Sequence, residues 1–264
     1  MQMVGAFLIG AMIGPVLATQ IADAYGWRAA FFLSGVPGLL LALALACYVR
    51  ETPRQASPGA DLPVLATIVT LFRIRNMRIA VALAAVYSAW VMVQNVFLPV
   101  YLTQAKGLAP ATMGWVLGMC GLAGVAGGIL LPALSDRIGR RPVCVVACFA
   151  SLGTPIALLL IPDGAALPLG LAILIGWIPI GIAPLYCAVI PSESVPPGMV
   201  TSAIGLSMAT AELFGGVAAP FAAGKAADAY GLDAPLWLCL GFAVVAGLLA
   251  LMLEETAPRQ RAVN

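Results

Sequence analysis

Long unbroken apolar runs set the pattern of this chain. Eight stretches of about 20 residues, the length a helix needs to cross a bilayer, carry almost no charge: 3–22, 28–49, 79–102, 112–134, 142–161, 168–190, 200–223 and 234–253. Charged residues and turn formers gather between them, from Asp23 to Arg28, Arg50 to Arg78, Thr103 to Pro110, Ser135 to Arg141, Pro162 to Pro168, Pro191 to Met199 and Asp228 to Pro235. None of the runs alternates apolar and polar positions as a membrane strand does. The pattern predicts an all-α membrane protein of eight transmembrane helices.

Composition agrees and narrows the function. Of 264 residues, 62% are hydrophobic and 9% are charged, against roughly 25% charged in a soluble domain. There is no histidine, the usual general base and commonest metal ligand. No nucleophile–base pair or metal cluster is visible either, so the chain is not expected to be an enzyme or to hold a cofactor. A net charge of +2 gives no reason to expect a nucleic-acid partner. Cys47, Cys120, Cys144, Cys148, Cys187 and Cys239 all sit inside apolar runs and read as small core residues. The pair Cys144 and Cys148, without a third ligand, makes a poor zinc site.

Orientation follows from where the basic residues fall. An even number of helices puts both ends on one side, and that side carries Arg50, Arg54, Arg73, Arg75, Arg78, Arg137, Arg140, Arg141, Arg259 and Arg261. Only Arg28, Lys106 and Lys225 fall on the other. Both termini are therefore expected in the cytoplasm, in a multi-pass protein of the cell (plasma or inner) membrane. The segment 50–78, with Pro53, Pro58, Gly59 and Pro63, reads as a cytoplasmic linker whose residues 64–72 lie along the membrane surface.

The chain also repeats itself. Ala22-Asp23-Ala24-Tyr25-Gly26 recurs 205 residues later as Ala227-Asp228-Ala229-Tyr230-Gly231, and Pro15 maps onto Pro220 at the same offset. Glu51-Thr52-Pro53-Arg54 has a counterpart, one residue out of step, in Glu255-Thr256-Ala257-Pro258-Arg259. Duplication makes the first two helices equivalent to the last two, as in transporters built from parallel six-helix repeats. The expected division is 1–49 as the last two helices of one bundle, 50–78 as linker, and 79–264 as a complete six-helix bundle with a short tail. On that offset four further helices would precede Met1. The first basic residue, Arg28, also leaves the N-terminus without the positive region of a signal peptide.

Between the fourth and fifth runs lies Pro132-Ala133-Leu134-Ser135-Asp136-Arg137-Ile138-Gly139-Arg140-Arg141. It resembles the cytoplasmic signature of the major facilitator superfamily, and falls where that family has it, after the second helix of a half. Gly26-Trp27-Arg28 with Phe31, and Pro191-Ser192-Glu193-Ser194-Val195-Pro196, extend the resemblance over essentially the whole chain, as helices five to twelve. Pro132 stands where the family usually has glycine, and Met199 and Val200 where an arginine often follows. The resemblance implies a secondary transporter of twelve-helix type. It further implies a cytoplasmic latch, with Asp136 and Glu193 accepting bonds from Arg137, Arg140 or Arg141 around Gly139. Simple anchoring of the helix ends by arginine is the plainer alternative. The stretch from Trp27 to Glu51 looks most like the proton-coupled organic-anion and metabolite symporters of the family. Gly10-x-x-x-Gly14-Pro15 resembles its antiporter signature, though close helix packing with a proline bend explains those residues more simply. The same packing role fits Gly118, Gly121, Gly124 and Gly127.

Glu212 is a carboxylate in the middle of the seventh run. It is expected to face the bundle interior with its pKa raised by desolvation, as a proton or substrate site, or as a structural acid bonded to Thr210. Tyr87, Trp90, Gln94 and Tyr101 fall on one face of the third run with Asn95 beside them, which suits a cavity wall or helix–helix bonding. Trp177 and Tyr186 on the sixth run are further candidates, Tyr186 also fitting an interfacial belt. The expected function is alternating-access transport of a small organic solute, with that solute, protons and the lipid bilayer as partners. A drug-type antiporter and an inactive membrane scaffold are the alternatives.

Overall fold

The computed structural model describes residues 2–48 and 64–257. Apart from short connections these residues are helical, and we number the helical stretches in chain order: α1 (Gln2–Tyr25), α2 (Trp27–Tyr48), α3 (Val64–Arg73), α4 (Arg75–Ala105), α5 (Pro110–Ile138), α6 (Arg140–Leu160), α7 (Ala166–Ser194), α8 (Pro197–Tyr230) and α9 (Ala234–Leu251). Among the described residues, seven of these, α2 and α4 to α9, are long and apolar enough to cross a membrane. The eighth expected span, α1, is a helix of 24 residues. Residues 50–63 of the linker and the tail beyond residue 257 lie outside the described residues; α3 falls on the 64–72 segment.

Helix ends follow local chemistry. Gly26 (φ 83°) and Gly231 (φ 88°) end α1 and α8 in the left-handed region that glycine enters without a Cβ clash. The Gly26 amide donates to the Ala22 carbonyl and the Gly231 amide to the Ala227 carbonyl, both at 2.9 Å. The sequence repeat is thus also a repeat of capping geometry. Pro110 starts α5 in the first turn, where a missing amide hydrogen costs nothing. Within α7, Pro179 cannot supply the bond a continuous helix needs, and the helix tightens over Ile178–Ile182 before widening over Leu185–Val189. A second wide, π-type stretch, Glu212–Ala218, interrupts α8.

Helices α4 to α9 share one hydrophobic core, whose members all lie between Ile79 and Leu253; Tyr87, Trp90, Leu83, Leu158, Ile173 and Leu185 are fully enclosed. Glycines set the closest crossings, as they do in lipid, where backbone approach replaces the hydrophobic effect as the driving force. A Cβ on Gly127 of α5 would collide with the Ile178 carbonyl, and one on Gly181 of α7 with the Gly127 backbone. Gly215 of α8 meets Ser88 of α4, Gly176 of α7 meets Thr154 of α6, and Gly247 of α9 meets Phe149 of α6.

Helix α1 packs on α5 and α2, and α2 packs chiefly on α1 and buries none of its own described residues. The Gly10–Gly14 ridge does not make the expected close packing: no other described residue lies within 4 Å of a Cβ at either glycine. The close approach comes from the opposite partner, where Thr19 of α1 sits against Gly114 of α5. Pro15 lies inside α1, and its own carbonyl accepts from the Thr19 hydroxyl at 2.8 Å. Of the cysteines, Cys120, Cys144, Cys148 and Cys239 are buried and Cys187 half-buried, but Cys47 on α2 is exposed and not a core residue.

Candidate functional site

At the α5–α6 turn the charges of the sequence signature converge on one guanidinium. Gly139 (φ 111°) breaks the chain between the two helices and turns Arg140 inward to 8% exposure. Arg140 donates to Ser135 Oγ at 2.7 Å and to Asp136, both on α5, and to Glu193 on α7 at 3.1 and 3.4 Å. Glu193 also accepts from the Thr256 hydroxyl at 2.6 Å. The expected acceptors are therefore both engaged, by Arg140 alone. Arg137 reaches neither carboxylate; it is exposed and has no hydrogen bond or ion pair among the described residues. Arg141 donates instead to the Leu251 carbonyl at 2.8 Å. Positions 137, 140 and 141 point in different directions across the turn, so one of these three nearby arginines faces both carboxylates.

The segment after α9 completes this face, and sequence reasoning missed its role. Glu255 accepts from the backbone amides of Arg140 (2.7 Å) and Arg141 (3.1 Å), a carboxylate placed at the start of α6 where free amides and the helix dipole favour an anion. Partial burial works against the Glu255 charge, but amide donors from Ala257, Arg140, Arg141 and Thr256 outweigh it and hold the carboxyl below its usual range. Next to it, Asn76 and Glu254 exchange two bonds, side chain to backbone in each direction, at 2.9 and 3.1 Å. Arg75 donates to Glu254 and pairs with it. The resemblance of Glu255-Thr256 to Glu51-Thr52 was the available signal.

In the middle of the bundle, aromatic and polar groups from α4, α6 and α7 form a second cluster. Tyr87 stacks on Trp90 with ring centres 5.5 Å apart, Tyr186 meets Tyr87 edge-on, and Trp90 lies 5.9 Å from Trp177. Tyr87 Oη and Ser151 Oγ share a hydrogen bond of 2.8 Å, and Trp177 Nε1 donates to Gln94 Oε1 at 3.2 Å. Tyr87, Trp90, Gln94 and Trp177 are all buried. In this structure they form an interhelical joint of the bundle, the helix–helix bonding of the two readings the sequence allowed, and Tyr186 is buried rather than placed at a surface. Trp90 Nε1, Gln94 Nε2 and Thr154 Oγ1 remain buried without a partner among the described residues. Asn95 is turned away from this cluster, exposed, and donates to the Val91 carbonyl of its own helix at 3.0 Å.

Glu212 does not face the interior. Ala203, Ser207, Ala211, Gly215, Ala219 and Ala223 are the residues α8 buries, and Glu212, one position from Ala211, is turned to the exposed side. It opens the wide turn of α8, a feature frequent at functional sites, with its carboxylate near Gly216 and within electrostatic reach of Cys187 on α7. Thr210 is not its partner; that hydroxyl donates to the Leu206 carbonyl. The surrounding exposed side chains, Met208, Leu213, Phe214 and Val217, are apolar. Among the described residues Glu212 is the one Asp, Glu, Lys or Arg in the middle of a span; the others of these types sit near span ends. Parallel crossings at Ser88–Gly215 and Phe97–Gly224 put Asn95 ten residues above the level of Glu212, about 15 Å along the axis at 1.5 Å per residue. The structure therefore does not bring these two together.

Residues 3–220 match the model of the family described as the Major Facilitator Superfamily. The chain is similar to the hexuronate transporter of Bacillus subtilis (strain 168), at 28% identity over 173 residues covering 56% of this chain and 39% of that protein. It is also similar to the sialic acid transporter NanX of Escherichia coli (strain K12), at 25% identity covering 56% of this chain and 36% of that protein. The glycerol-3-phosphate transporter of Bacillus subtilis (strain 168) is 27% identical, with 48% and 33% covered. The chain thus spans 33–39% of the length of these relatives. In fold it resembles the crystal structure of the nucleoside transporter NupG (D323A mutant), with a TM-score of 0.71 at 16% identity, covering 93% of this chain and 66% of that one.

Proposed function

The chain belongs to the major facilitator superfamily, and from that premise we propose that it works as part of a proton-coupled secondary transporter for a small organic anion, moving it by alternating access. Three relatives are named for hexuronate, sialic acid and glycerol 3-phosphate, solutes that share an anionic group on a polyhydroxylated carbon skeleton. Residues 79–264 are the bundle that rocks as a unit in this reading, 50–78 the cytoplasmic linker, and 1–49 two helices of the opposing bundle.

The observation that carries the reading is Glu212. A carboxylate in mid-span among apolar side chains is costly in a bilayer unless it faces water or exchanges its charge. A side that opens alternately to the two aqueous compartments gives it that access, and a proton bound there neutralises it for the return. Arg140 supports the same cycle. Its bonds to Asp136 and Glu193 tie the end of α7 to the α5–α6 turn, so they form while the cytoplasmic side is closed and break when α7 moves outward.

Uptake and counterflow of radiolabelled hexuronate in proteoliposomes, measured with the whole transporter of which this chain is part, separate these roles. Glu212→Gln is expected to abolish accumulation driven by an inward proton gradient while retaining counterflow within about tenfold of the parent, since the binding step persists and only the proton cycle is lost. Normal gradient-driven accumulation in that variant demotes Glu212 to a structural residue.

A further inference from the structure

Helices α5 and α7 cross closely at Gly127 and Gly181, and α6 packs beside both. Pro132 follows the crossing in α5 and Pro179 precedes it in α7, and each removes a backbone hydrogen bond where a helix would otherwise run straight. Beside this crossing lies a groove of about 270 Å³, floored by Val143 and Ala147 of α6 and walled by Leu134, Ile138, Ile175 and Ile178. Leu134, Ile138, Val146 and Ile175 at its rim are exposed, so it opens sideways on the outer surface of the bundle. Its lining residues are all apolar. That excludes a polar solute and suits a hydrocarbon chain, and a volume near the lower end of ligand pockets, about 300 Å³, accommodates one chain.

The groove has one polar end. Ile138 and Pro142 close it at the α5–α6 turn, and each directly follows an arginine, Arg137 and Arg141. Arg140 beside them is neutralised by Asp136 and Glu193. Arg137 has no counter-charge among the described residues and is exposed. An apolar groove for a chain, with an uncompensated arginine one residue before its lining residue Ile138 at a span end, matches the two halves of one molecule. Guanidinium pairs with phosphate through parallel hydrogen bonds, and arginine at the membrane surface favours anionic lipid.

We propose that this groove is a phospholipid site: one acyl chain lies between α5, α6 and α7, and the anionic phosphate of the same lipid is held by Arg137. The bound chain packs beside the glycine crossing, against α5, α6 and α7 together.

The test uses the protein in bilayers of phosphatidylcholine containing a trace of phosphatidylglycerol with a photoactivatable group on its acyl chain. After irradiation, adducts are mapped by peptide mass spectrometry and repeated with a phosphatidylcholine probe of the same chain. Adducts are expected to concentrate on 131–150 and 175–179, above those on other lipid-facing segments such as 39–45 and 167–171. Ala150→Phe, at an exposed rim position, fills the groove and is expected to cut these adducts about tenfold, the effect of displacing roughly two methylenes from apolar contact. Val146→Phe serves the same purpose if the first variant fails to give a monodisperse, folded protein. Arg137→Gln is expected to lower capture of the phosphatidylglycerol probe about fivefold, the effect of one arginine at an anionic surface, and to leave phosphatidylcholine capture unchanged. Adducts spread evenly over all lipid-facing segments, or capture that survives filling of the groove, overturn the site. Equal capture of both probes by the parent and by Arg137→Gln overturns the assignment of the phosphate to Arg137. A protein–protein crosslink through the groove in place of lipid adducts overturns the proposal in favour of a second copy as occupant.

Discussion

Single side chains at the α5–α6 turn carry unequal shares of one charge cluster. Removing the guanidinium in Arg140→Gln leaves Glu193, whose side chain is 20% exposed, without its counter-charge in a partly desolvated position. A loss of about 2–4 kcal/mol is expected, because breaking one half of a buried pair strands the other charge. Thermal unfolding in detergent measures it, and Arg140→Lys is expected to recover only part, since an ammonium cannot make the forked contact. Glu255 acts differently. Its native carboxyl is held below the usual range, so it contributes stability that is complete above the unfolded value of about 4.3 and is lost as pH falls through the lowered native value. Glu255→Gln is therefore expected to cost about 1 kcal/mol at neutral pH, typical of an anion at a helix start, with the gap to the parent closing in acid. A gap independent of pH rules out the charge as the cause. The sequence marked Asp136 and Glu193 as acceptors but could not single out Arg140, since three arginines lie within five positions and only the backbone at Gly139 decides which one turns inward. Glu255 was seen only as half of a repeat, because its contact with α6 spans more than a hundred residues.

Among the helices, glycine crossings do the positioning, and they were half legible. The Gly118-to-Gly127 spacing marked a small-residue ridge on α5, and all four glycines are buried. Which helix each one meets depends on partners across the fold, Gly181 in the case of Gly127, and no local pattern contains that. The same spacing at Gly10 and Gly14 gave a ridge that meets no other described residue, so the motif alone does not define a contact. Likewise Tyr87, Trp90 and Gln94 were legible as one face of α4, but Tyr101 on the same face bonds Asp233 instead, and what the face meets depended on Trp177 and Ser151 arriving from other helices. Gly127→Ala and Gly181→Ala are each expected to destabilise by roughly 1–3 kcal/mol, because the added methyl meets main-chain atoms that cannot turn aside. Gly241→Ala in α9, where no other residue lies within 4 Å of the new atom, is expected to be neutral or slightly stabilising. Comparable losses in all three variants, read by thermal unfolding in the same detergent, refute the crossing as the source of the effect.

Across the whole molecule, two sets of polar bonds separate the ends of the bundle. At one end Arg75 and Asn76 of α4, the α5–α6 turn, Glu193 of α7 and the segment after α9 are joined through Glu254, Glu255 and Arg140. At the other, Lys106 after α4 donates to the Ile161 carbonyl at 2.7 Å and pairs with Asp163, and Tyr101 donates to Asp233 ahead of α9 at 3.0 Å. These bonds fix which turns share a face without saying which compartment each face meets. That assignment rests on charge: the face of the first set holds ten of the chain's 13 basic residues in the sequence-based topology, and basic loops stay in the cytoplasm. Ala66 on α3 belongs to the first face and Ala109, at the start of α5, to the second; both are exposed. In a background with the native cysteines replaced, Cys47 above all because it is exposed, Ala109→Cys is expected to react with a membrane-impermeant maleimide on intact cells. Ala66→Cys is expected to react only after the membrane is permeabilised. Both positions keep their helix or cap geometry with a cysteine side chain, so a failure to label reflects access rather than unfolding when the protein still runs as a single species in detergent. The opposite pattern inverts the topology, and with it moves the Arg140 cluster, the proposed latch and the phosphate end of the α5–α7 groove to the outer face of the membrane.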